Sequence, residues 1–534
     1  MRCRMLLAVA ALAVGGAMAV PAAGQLRVVT YNTNTFGTEG FVPELPSSFR
    51  TVRPEADVVF QAIGEEAVNG IARPADIILL QEQQQVGSTT ENLLQRLNAI
   101  YADQGIVYAR GQLNPGITGD PGPGLGTGPG AFDTSEIRQG FLYRTDSVEL
   151  IDESFFGGIS GPTQPRATQF IQFRPVGFGP EADLFVFNVH FEAGDGLGFG
   201  DDLFARESEA TDIRDFISAN GLGSSNVIVA GDLNVDSNFE TSGVTTFDGR
   251  SALQILADGT DESGRVLDPL FPNGELVDFQ IFSPGVPNTQ FGVDLGPFLT
   301  QSPSDGAGPL TGGGIDDRFD FILQSDELLD GEGVASIPGT LRSFGNNGST
   351  PNDQINDGNT IQIAGLTSFT TAEALDALEA ASDHLPVVED FQLPATLEAE
   401  LLSAVPVEVT QGDAVSLDLA IFNATDVSVA IGADELDFEL TTEGDVFGAA
   451  SGTDAALGEA FLASVQLNTN ELGSRSGVIT VTSDSPAVAN GRVTIPVSFT
   501  VVPEPGVLGV LTGLGVLGLR RRVRVGELAS TGSH

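Results

Sequence analysis

The sequence predicts an α/β fold that is followed by a separate all-β domain. From residue 25 to residue 395, short apolar strands alternate with amphipathic helical segments, a pattern that is typical of α/β proteins. Residues 396–501 contain runs in which polar and apolar residues alternate, without a convincing helical pattern, which is typical of a β-sandwich. With 534 residues, the chain is long enough for both domains to bury a core.

The predicted elements of the first domain follow one another in a regular order. Besides the stretch 226–234, strands are expected at residues 26–31, 75–80, 138–145, 148–151, 168–174, 183–191, 317–324 and 384–388. Helices are expected at residues 54–69, 89–101, 202–219 and 371–381. Residues 111–131, 241–275 and 330–370 are expected to be loops that shape a pocket, the first of them rich in Gly and Pro.

The stretch 226–234 reads Asn-Val-Ile-Val-Ala-Gly-Asp-Leu-Asn and carries the strongest local signal. Its apolar residues predict a short buried strand, and we expect Gly231 to let the backbone turn sharply after it. Because side chains alternate along extended chain, Asp232 and Asn234 should point to one side and Leu233 to the core. The pair indicates either an Asx turn that closes the strand or a site that holds a water or a metal beside a phosphate.

The first residues form a predicted secretory signal peptide, residues 1–24. Arg2 and Arg4 precede the apolar run 5–14, and small residues follow it, which is the order of a cleavable signal. A membrane anchor is the alternative, although the apolar run is short for one. Cys3 is the single cysteine, so the mature protein would have no disulfide and no thiolate metal site.

The C-terminal stretch 502–525 has three parts in a set order. Pro-Glu-Pro at 503–505 is followed by the apolar segment 506–519 and then by an arginine cluster. This order resembles the PEP-CTERM sorting signal of bacterial surface proteins. The resemblance implies an extracellular, cell-surface protein, a hydrophobic helix that enters the membrane transiently, and cleavage by an exosortase-type enzyme. A buried C-terminal helix is the alternative, but the arginine cluster follows the positive-inside pattern.

The composition is strongly acidic. The formal net charge is −48, and the chain contains no lysine. Such a surface repels polyanions at low ionic strength and argues against a sequence-reading DNA-binding protein, which needs a basic face. Adaptation to salty surroundings is another explanation of the acidity.

Histidine is scarce enough to be informative. The chain has three histidines, and His534 lies in the tail that we expect to be removed. His190 closes a predicted strand in Asn188-Val-His190, and His384 opens another in Ser382-Asp-His384. One histidine at a strand end is more often packed in a core, but two such junctions favour a functional site.

Polar residues follow the predicted strands in a set order. The pattern comprises Tyr31-Asn32, Gln81-Glu82, Asn188-Val-His190, Gly231-Asp-Leu-Asn234, Arg318-Phe-Asp320-Phe-Ile322 and Ser382-Asp383-His384-Leu-Pro386. Together these blocks resemble the endonuclease/exonuclease/phosphatase superfamily, which includes DNase I-like nucleases and sphingomyelinases. The resemblance spans about residues 26–391 and implies a DNase I-like four-layer α/β/β/α sandwich and metal-dependent hydrolysis of phosphoric esters. Residues 137–144 also resemble a strand of its secreted bacterial nucleases.

The resemblance implies a metal site. Glu82 matches the principal Mg²⁺ ligand of the superfamily, Asn32 lies near it, and Asp383 is a further carboxylate on the metal side. Hard oxygen ligands of this kind suit Mg²⁺ or Mn²⁺. Asn34 stands where some relatives have Asp, which would make the site less charged. The alternative is that Asn32 and Glu82 merely end strands.

The resemblance also implies catalytic roles. Asp232 matches the residue that orients or deprotonates the attacking water, and Asn234 the one that holds Asp232 or the phosphate. His384 should contact the scissile phosphate while Asp320 fixes its other ring nitrogen, and His190 is the second imidazole beside the phosphate. Alternation between Phe319 and Phe321 supports Asp320, because its charge should lie on the face opposite the two rings.

The substrate prediction is a phosphodiester, with extracellular DNA or RNA favoured and a lipid phosphodiester or a phosphatase substrate as alternatives. Glu192 and Asp195 follow His190 where secreted nucleases typically have a basic residue, which weakens the case for DNA. Arg138, Arg166 and Arg206 are candidates for contact with phosphate, although structural packing is the simpler role for each. The oligomeric state is not predicted.

A protein of another class is also compatible with the sequence. Residues 396–501 resemble an immunoglobulin-like module of bacterial surface proteins, which implies a spacer or adhesive role. A surface protein that has kept the fold and lost the activity is therefore the competing hypothesis.

Overall fold

The computed structural model describes residues 25–34, 52–83, 89–112, 138–157, 166–194, 201–235, 240–243, 245–258, 264–275, 277, 289–306 and 310–504. The predicted signal peptide, most of the loop 111–131 and the stretch from residue 505 onward lie outside these residues. The chain divides into two compact units, Met1–Leu393 with Thr425–Ala433, and Pro394–Ala424 with Asp434–His534.

The first unit contains strands and helices in the following order. The strands are β1 Leu26–Asn32, β2 Ile77–Gln83, β3 Tyr108–Arg110, β4 Arg138–Arg144, β5 Val148–Gly157, β6 Ala167–Pro175, β7 Leu184–His190, β8 Asn226–Asp232, β9 Thr289–Gln290, β10 Val293–Asp294, β11 Asp320–Gln324, β12 Ala335–Ser336, β13 Arg342–Ser343 and β14 Val387–Gln392. The helices are α1 Glu55–Glu65, α2 Glu91–Ile100, α3 Asp201–Ala219, α4 Ala252–Leu256 and α5 Thr371–Ala381.

Two mixed sheets form the centre of this unit. In the first, the strand order is β12-β14-β1-β2-β4-β3, with β13 also paired to β14. In the second, the order is β11-β8-β7-β6-β5. Each sheet contains a parallel pair, β1 with β2 and β7 with β8, and helical chain connects each pair, as parallel neighbours require.

The inner faces of the two sheets contact each other. Phe141 of β4 packs edge-on against Phe173 of β6, with ring centroids 5.6 Å apart. Polar groups also join the sheets, because Nε2 of Gln81 donates to Oδ1 of Asn188 at 2.7 Å. Buried polar groups between apolar layers must be paired in this way, or desolvation would destabilise the fold.

Helices cover the two outer faces. Helices α1, α2 and α5 bury apolar residues such as Val59, Leu97 and Leu378 against the first sheet. Helices α3 and α4 cover the second sheet, where Ile213 and Leu256 join its core. The prediction of a mixed α/β fold is confirmed, and this arrangement is consistent with the DNase I-like fold.

Local sequence explains where α5 begins. Thr370 accepts a hydrogen bond from the backbone N–H of Glu373, whose side chain accepts from the backbone N–H of Thr370. This reciprocal cap satisfies two backbone donors at the helix start. The predicted range 371–381 agrees with the structure. The predicted helix 54–69 is too long, because α1 ends at Glu65 and a tight turn follows in which Val68 and Ile71 pair.

The second unit consists of strands and connecting loops over its described residues. Its strands are β15 Leu397–Leu401, β16 Glu408–Thr410, β17 Ser416–Asn423, β18 Leu436–Gly444, β19 Val446–Phe447, β20 Ala450–Asp454, β21 Phe461–Leu467, β22 Gly473–Thr482 and β23 Arg492–Val502. They form two sheets, β15-β17-β21-β19 and β16-β23-β22-β18-β20, with one shared core that includes Leu419, Val465 and Ile479. The immunoglobulin-like assignment stays a prediction.

Among the residues that the structure describes, no helix combines the length and the apolar character needed to span a membrane. The hydrophobic helix that we expect at 506–519 falls outside those residues.

Candidate active site

Strand register brings three predicted site residues side by side. His190 ends β7 and lies opposite Asp232, which ends the parallel strand β8. Asp232 also lies opposite Asp320, the first residue of the antiparallel strand β11. All three side chains are buried. The edge of the second sheet therefore presents a histidine and two carboxylates in one row.

Gly231 allows this row to form. The structure places it inside β8 and not at a turn after the strand, so the predicted reason for this glycine was wrong. Its φ is +148°, and a Cβ at this position would lie 1.9 Å from the backbone oxygen of Val189 on β7. Because a side chain does not fit, β8 can approach β7 closely beside this row.

Asp232 lies at the centre of the cluster. Its Oδ2 accepts a hydrogen bond from Nδ2 of Asn32 at 3.0 Å, and Asn32 ends β1 in the opposite sheet. The same oxygen lies 3.5 Å from Nε2 of His190 and 3.8 Å from Nε2 of His384. The facing sheets thus place an amide and two imidazoles around one carboxylate oxygen.

His384 and Asp320 form a hydrogen-bonded pair. Nδ1 of the ring lies 2.8 Å from Oδ2 of Asp320, as the sequence predicted. The hydroxyl of Thr300 accepts from the backbone N–H groups of Phe319 and Asp320, which fixes the position of the carboxylate. The other ring nitrogen lies 3.0 Å from Nε2 of Gln301.

Glu82 enters the site through an irregular strand. The pairing of β2 with β4 shifts register between Leu80 and Gln83, and Glu82 has a positive φ of 54°. Bulges of this kind redirect a side chain next to functional sites. Oε1 of Glu82 accepts from Nδ2 of Asn32 at 3.3 Å and lies 3.9 Å from Nε2 of His190, so Glu82 joins the cluster where the sequence predicted.

Asn234 holds Asp232 through its backbone. Its N–H donates to Oδ1 of Asp232 at 2.9 Å, which is an Asx turn, while its side chain donates to the backbone oxygen of Phe191 at 3.0 Å. Leu233 is buried in the core of the second sheet. The Asx turn and the site were treated as alternatives from the sequence, and the structure contains the turn within the cluster.

Asp383 lies beside the cluster, and both of its carboxylate oxygens accept hydrogen bonds. Oδ1 accepts from Nδ2 of Asn34 at 2.6 Å, and Oδ2 accepts from the backbone N–H of Thr311 at 3.0 Å. Burial opposes ionisation, but His384 and these hydrogen bonds hold the pKa of Asp383 below its usual value. Its assignment as a metal ligand stays a prediction.

The acids and histidines of the cluster have shifted pKa values. Burial, together with Asp320 and Glu82, raises the pKa of Asp232 to about 7, although His384 opposes the shift. Burial also raises the pKa of Glu82. The histidines move in opposite directions, because burial and nearby positive charge lower the pKa of His190, whereas Asp320 and Asp232 outweigh burial and raise that of His384. One imidazole is therefore neutral and the other cationic near neutral pH.

The donor set fits a hard divalent cation. Asp232, Asp320 and His384 offer ligand atoms within 4.8 Å of one another, so these three could hold a metal ion. Nδ1 of His384 and Oδ2 of Asp320 already contact each other at 2.8 Å, and Glu82 is a more accessible carboxylate, with a side chain 19% exposed. Within the described part of the chain, Oδ1 of Asp320 is buried without a hydrogen-bond partner, and a nearby cation would compensate this buried charge.

The predicted arginines mostly support the framework. Arg206 is buried and donates to Glu240 and to the backbone oxygens of Glu192 and Gly194. Arg166 donates to the backbone oxygen of Phe191 and lies 3.4 Å from Glu192. The side chain of Arg138 lies outside the described residues.

The contacts of two residues at the site were not predicted from the sequence. Arg53 donates to the backbone oxygens of Thr33, Asn34 and Ala381, which ties the ends of β1 and α5 together. Ser382 donates to the backbone oxygen of Asn32 at 2.6 Å. Capping and clamping contacts of this kind leave no sequence pattern, because their partners are distant in the chain.

No protein-family model matches the chain, and none of the curated proteins searched matches it. Solved structures similar to the chain include the catalytic domain of human Nocturnin with bound sulfate (14% identity, 69% of this chain and 94% of that chain, TM-score 0.34). Another is the catalytic domain of Xenopus laevis APE2 (15% identity, 68% of this chain and 91% of that chain, TM-score 0.35). A third is an endonuclease/exonuclease/phosphatase family protein from Leptotrichia buccalis (12% identity, 68% of this chain and 98% of that chain, TM-score 0.31).

Proposed function

We propose that this protein is a metal-dependent phosphoric-ester hydrolase that acts on phosphodiesters. The observation that carries the proposal is the arrangement around Asp232, whose Oδ2 lies 3.0 Å from Asn32, 3.5 Å from His190 and 3.8 Å from His384. A carboxylate beside one neutral and one cationic imidazole, within a cluster of further acids, suits the activation of water next to a phosphate.

His384 stabilises negative charge on the phosphoryl group. Asp320 accepts from Nδ1, which fixes the ring and favours its cationic form. Nε2 then donates to a phosphoryl oxygen. Because the ring is buried, this charge-assisted hydrogen bond is stronger than it would be in water.

Asp232 acts as the general base. The water oxygen bonds to phosphorus as Asp232 accepts its proton. The bond from phosphorus to the leaving oxygen breaks, and that oxygen keeps the electron pair and takes a proton from solvent water. The pKa of about 7 for Asp232 suits a base that works near neutral pH. Asn32 and the backbone of Asn234 hold one carboxylate oxygen each, so the carboxylate is oriented before substrate arrives.

Glu82 and Asn32 would hold the metal, and Asp383 would add a further carboxylate on the metal side of the site. When bound, Mg²⁺ or Mn²⁺ supplies positive charge to the phosphoryl oxygens. Asn32 connects the two functions of the site, since its one amide nitrogen contacts both Glu82 and Asp232.

His190 is the neutral imidazole of the site. Burial keeps it uncharged, and its Nε2 lies between Asp232 and Glu82. Its Nδ1 is buried without a hydrogen-bond partner among the described residues. A neutral ring can donate to one group and accept from another, so His190 can orient water or phosphate without adding charge.

The natural substrate belongs to the phosphodiester class, which includes DNA, RNA and lipid phosphodiesters. Glu192 lies 3.4 Å from Arg166 and partly neutralises this cation, which weakens the site for a long polyanion. Secretion and attachment to the cell surface are proposed from the two terminal signals.

The test is hydrolysis of an aryl phosphodiester and of plasmid DNA by the purified protein, with Mg²⁺, Mn²⁺ or EDTA, beside the His384→Ala variant. Metal-dependent cleavage that the variant loses would support the proposal, and the relative rates would separate nuclease from small-ester activity. Failure to cleave either ester, together with no Mg²⁺ or Mn²⁺ binding that depends on Glu82, would instead favour an inactive surface protein.

A further inference from the structure

A glutamine that the mechanism above does not use contacts His384. Nε2 of Gln301 lies 3.0 Å from Nε2 of the ring, the nitrogen that does not face Asp320. The Gln301 side chain is only partly buried. Its amide therefore lies at the nitrogen that contacts phosphate in the proposed mechanism.

The backbone of Gln301 is held in place on both sides. Its N–H donates to the backbone oxygen of Asp317 at 3.1 Å, and its own oxygen accepts from the N–H of Asp317. It also forms a β-bridge with His384. The neighbouring Thr300 oxygen accepts from the N–H of Leu385 at 2.8 Å. These contacts fix Gln301 relative to the segments that lead into β11 and β14, so its amide is positioned before any ligand binds.

The chemistry of the two nitrogens determines what the amide can do. When Nε2 of His384 donates to a phosphoryl oxygen, this nitrogen and the amide nitrogen of Gln301 are both donors and cannot bond to each other. The hydrogens of the amide then require an acceptor close to Nε2, and the oxygens of the same phosphate group meet this requirement.

We propose that the side-chain amide of Gln301 is a second direct donor to the phosphoryl oxygens, so that Gln301 and His384 bind the phosphate from adjacent positions. This inference rests on the proposed function, because it uses the phosphate position that His384 defines. Two adjacent nitrogen donors match two oxygens of one phosphate, as the fork of an arginine does.

A neutral donor suits this site. Glu82, Asp232, Asp320 and Asp383 already crowd negative charge around the phosphate position, and the chain contains no lysine. An amide adds hydrogen bonds without adding a charge that could pair with one of these carboxylates and be drawn away from the substrate.

The competing role is indirect. If the side-chain amide is flipped by 180°, its oxygen accepts a hydrogen bond from Nε2 of His384, and Gln301 only holds the ring in place. Gln301 would then be a positioning residue that acts through His384. A double-mutant cycle distinguishes the two roles, because an effect that passes through the ring disappears when the ring is removed.

The experiment measures the affinity of the whole protein for inorganic phosphate in the presence of Mg²⁺, by calorimetry. Gln301→Met keeps a similar length and removes the amide, and Gln61→Met is the matched control, since Gln61 is a half-buried glutamine of α1 that bonds to Glu65 and Ser368. We expect Gln301→Met to weaken phosphate binding by about tenfold or more, the loss typical of a hydrogen bond to a charged group. The control should leave it unchanged, and thermal unfolding checks that both variants fold.

The same comparison in the His384→Ala background completes the cycle. A direct donor predicts that Gln301→Met weakens phosphate binding there too. No further loss in that background, an unchanged affinity in Gln301→Met, or no phosphate binding by the wild type would overturn the inference. Phosphate binding that depends on Gln301 in a protein that cleaves no phosphoester would support the inference while the proposed function fails.

Discussion

His190 and Asp232 face each other across the parallel strands β7 and β8, with Nε2 of the histidine 3.5 Å from Oδ2 of the aspartate. Neither group has its ordinary pKa, because burial lowers that of His190 and raises that of Asp232 to about 7. Burial disfavours the charged form of both groups, which places a neutral imidazole beside a carboxylate that titrates near neutral pH.

The Asp232→Asn variant should fold and lose activity. The amide is nearly isosteric but cannot accept a proton, so we expect kcat to fall by about 10²–10⁴-fold. The thermal midpoint should not fall, because the change removes one charge from a buried cluster of acids. Steady-state kinetics and thermal unfolding measure both effects. Asp330→Asn, at an exposed position, is the control, and full activity in Asp232→Asn would contradict its role as the base.

Metal binding should depend on Glu82. Replacing this carboxylate by the amide in Glu82→Gln removes a charge next to the cation, which costs about 1–4 kcal/mol at a separation of about 4 Å. The Mg²⁺ affinity measured by calorimetry should therefore fall by about tenfold or more. EDTA should abolish hydrolysis by the wild type, and added Mg²⁺ should restore it.

The control for that measurement is Glu332→Gln, which changes an exposed carboxylate of the same unit. Mg²⁺ binding that is equal in the wild type and in Glu82→Gln would show that the metal, if it binds, is held elsewhere.

Gly231→Ala should destabilise the first unit. The added Cβ would lie 1.9 Å from the backbone oxygen of Val189, so β7 and β8 would have to separate, and we expect a loss of about 2 kcal/mol or more. Urea unfolding measures it. Gly105→Ala is the matched control, because Gly105 also has a positive φ, of 71°, but no atom lies within 4 Å of the added group. Equal losses in the two variants would mean that contact with β7 is unimportant.

Glu389 should make stability depend on pH. Burial raises its pKa from 4.5 to about 8, so between these values the folded state binds one proton that the unfolded state has lost. The free energy of unfolding should fall by up to about 1.4 kcal/mol per pH unit as pH rises from about 5 to about 8, and this contribution should be constant above that. The measurement is urea unfolding across this range.

Glu389→Gln should reduce the slope, because the amide does not titrate. The slope should not vanish, since burial also raises the pKa of Glu209 to about 8 with the same sign of effect. An unchanged slope in Glu389→Gln would mean that Glu389 is ionised in the folded protein at neutral pH.

The strand and helix pattern was predictable because it is local. The range of α5 was predicted from the helical pattern of residues 371–381, and the side of β11 that carries Asp320 followed from alternation with Phe319 and Phe321. Predictions were less accurate where tertiary contacts decide an element. β14 continues to Gln392, beyond the predicted end at residue 388, because it pairs with β1 along that length.

Gln301 shows why part of the site could not be predicted. It lies in the stretch 299–302, which matches no strand or helix pattern, and it reaches His384 through pairing with residues 317 and 384. The same holds for Arg53, whose three carbonyl partners include Ala381, 328 positions further along the chain. A residue whose role is set by such contacts has no local signature.

The sequence by itself determined which residues end the strands and on which side their polar groups point, because alternation along extended chain is a local property. Together with the resemblance of the ordered blocks to the endonuclease/exonuclease/phosphatase superfamily, this pattern predicted eight residues that the structure brings to one region. Only the tertiary structure decided their distances, hydrogen bonds and protonation. Asn32 and Asp232 are 200 positions apart and meet because two sheets pack face to face, and the burial that this packing creates shifts the pKa values on which the proposed chemistry depends.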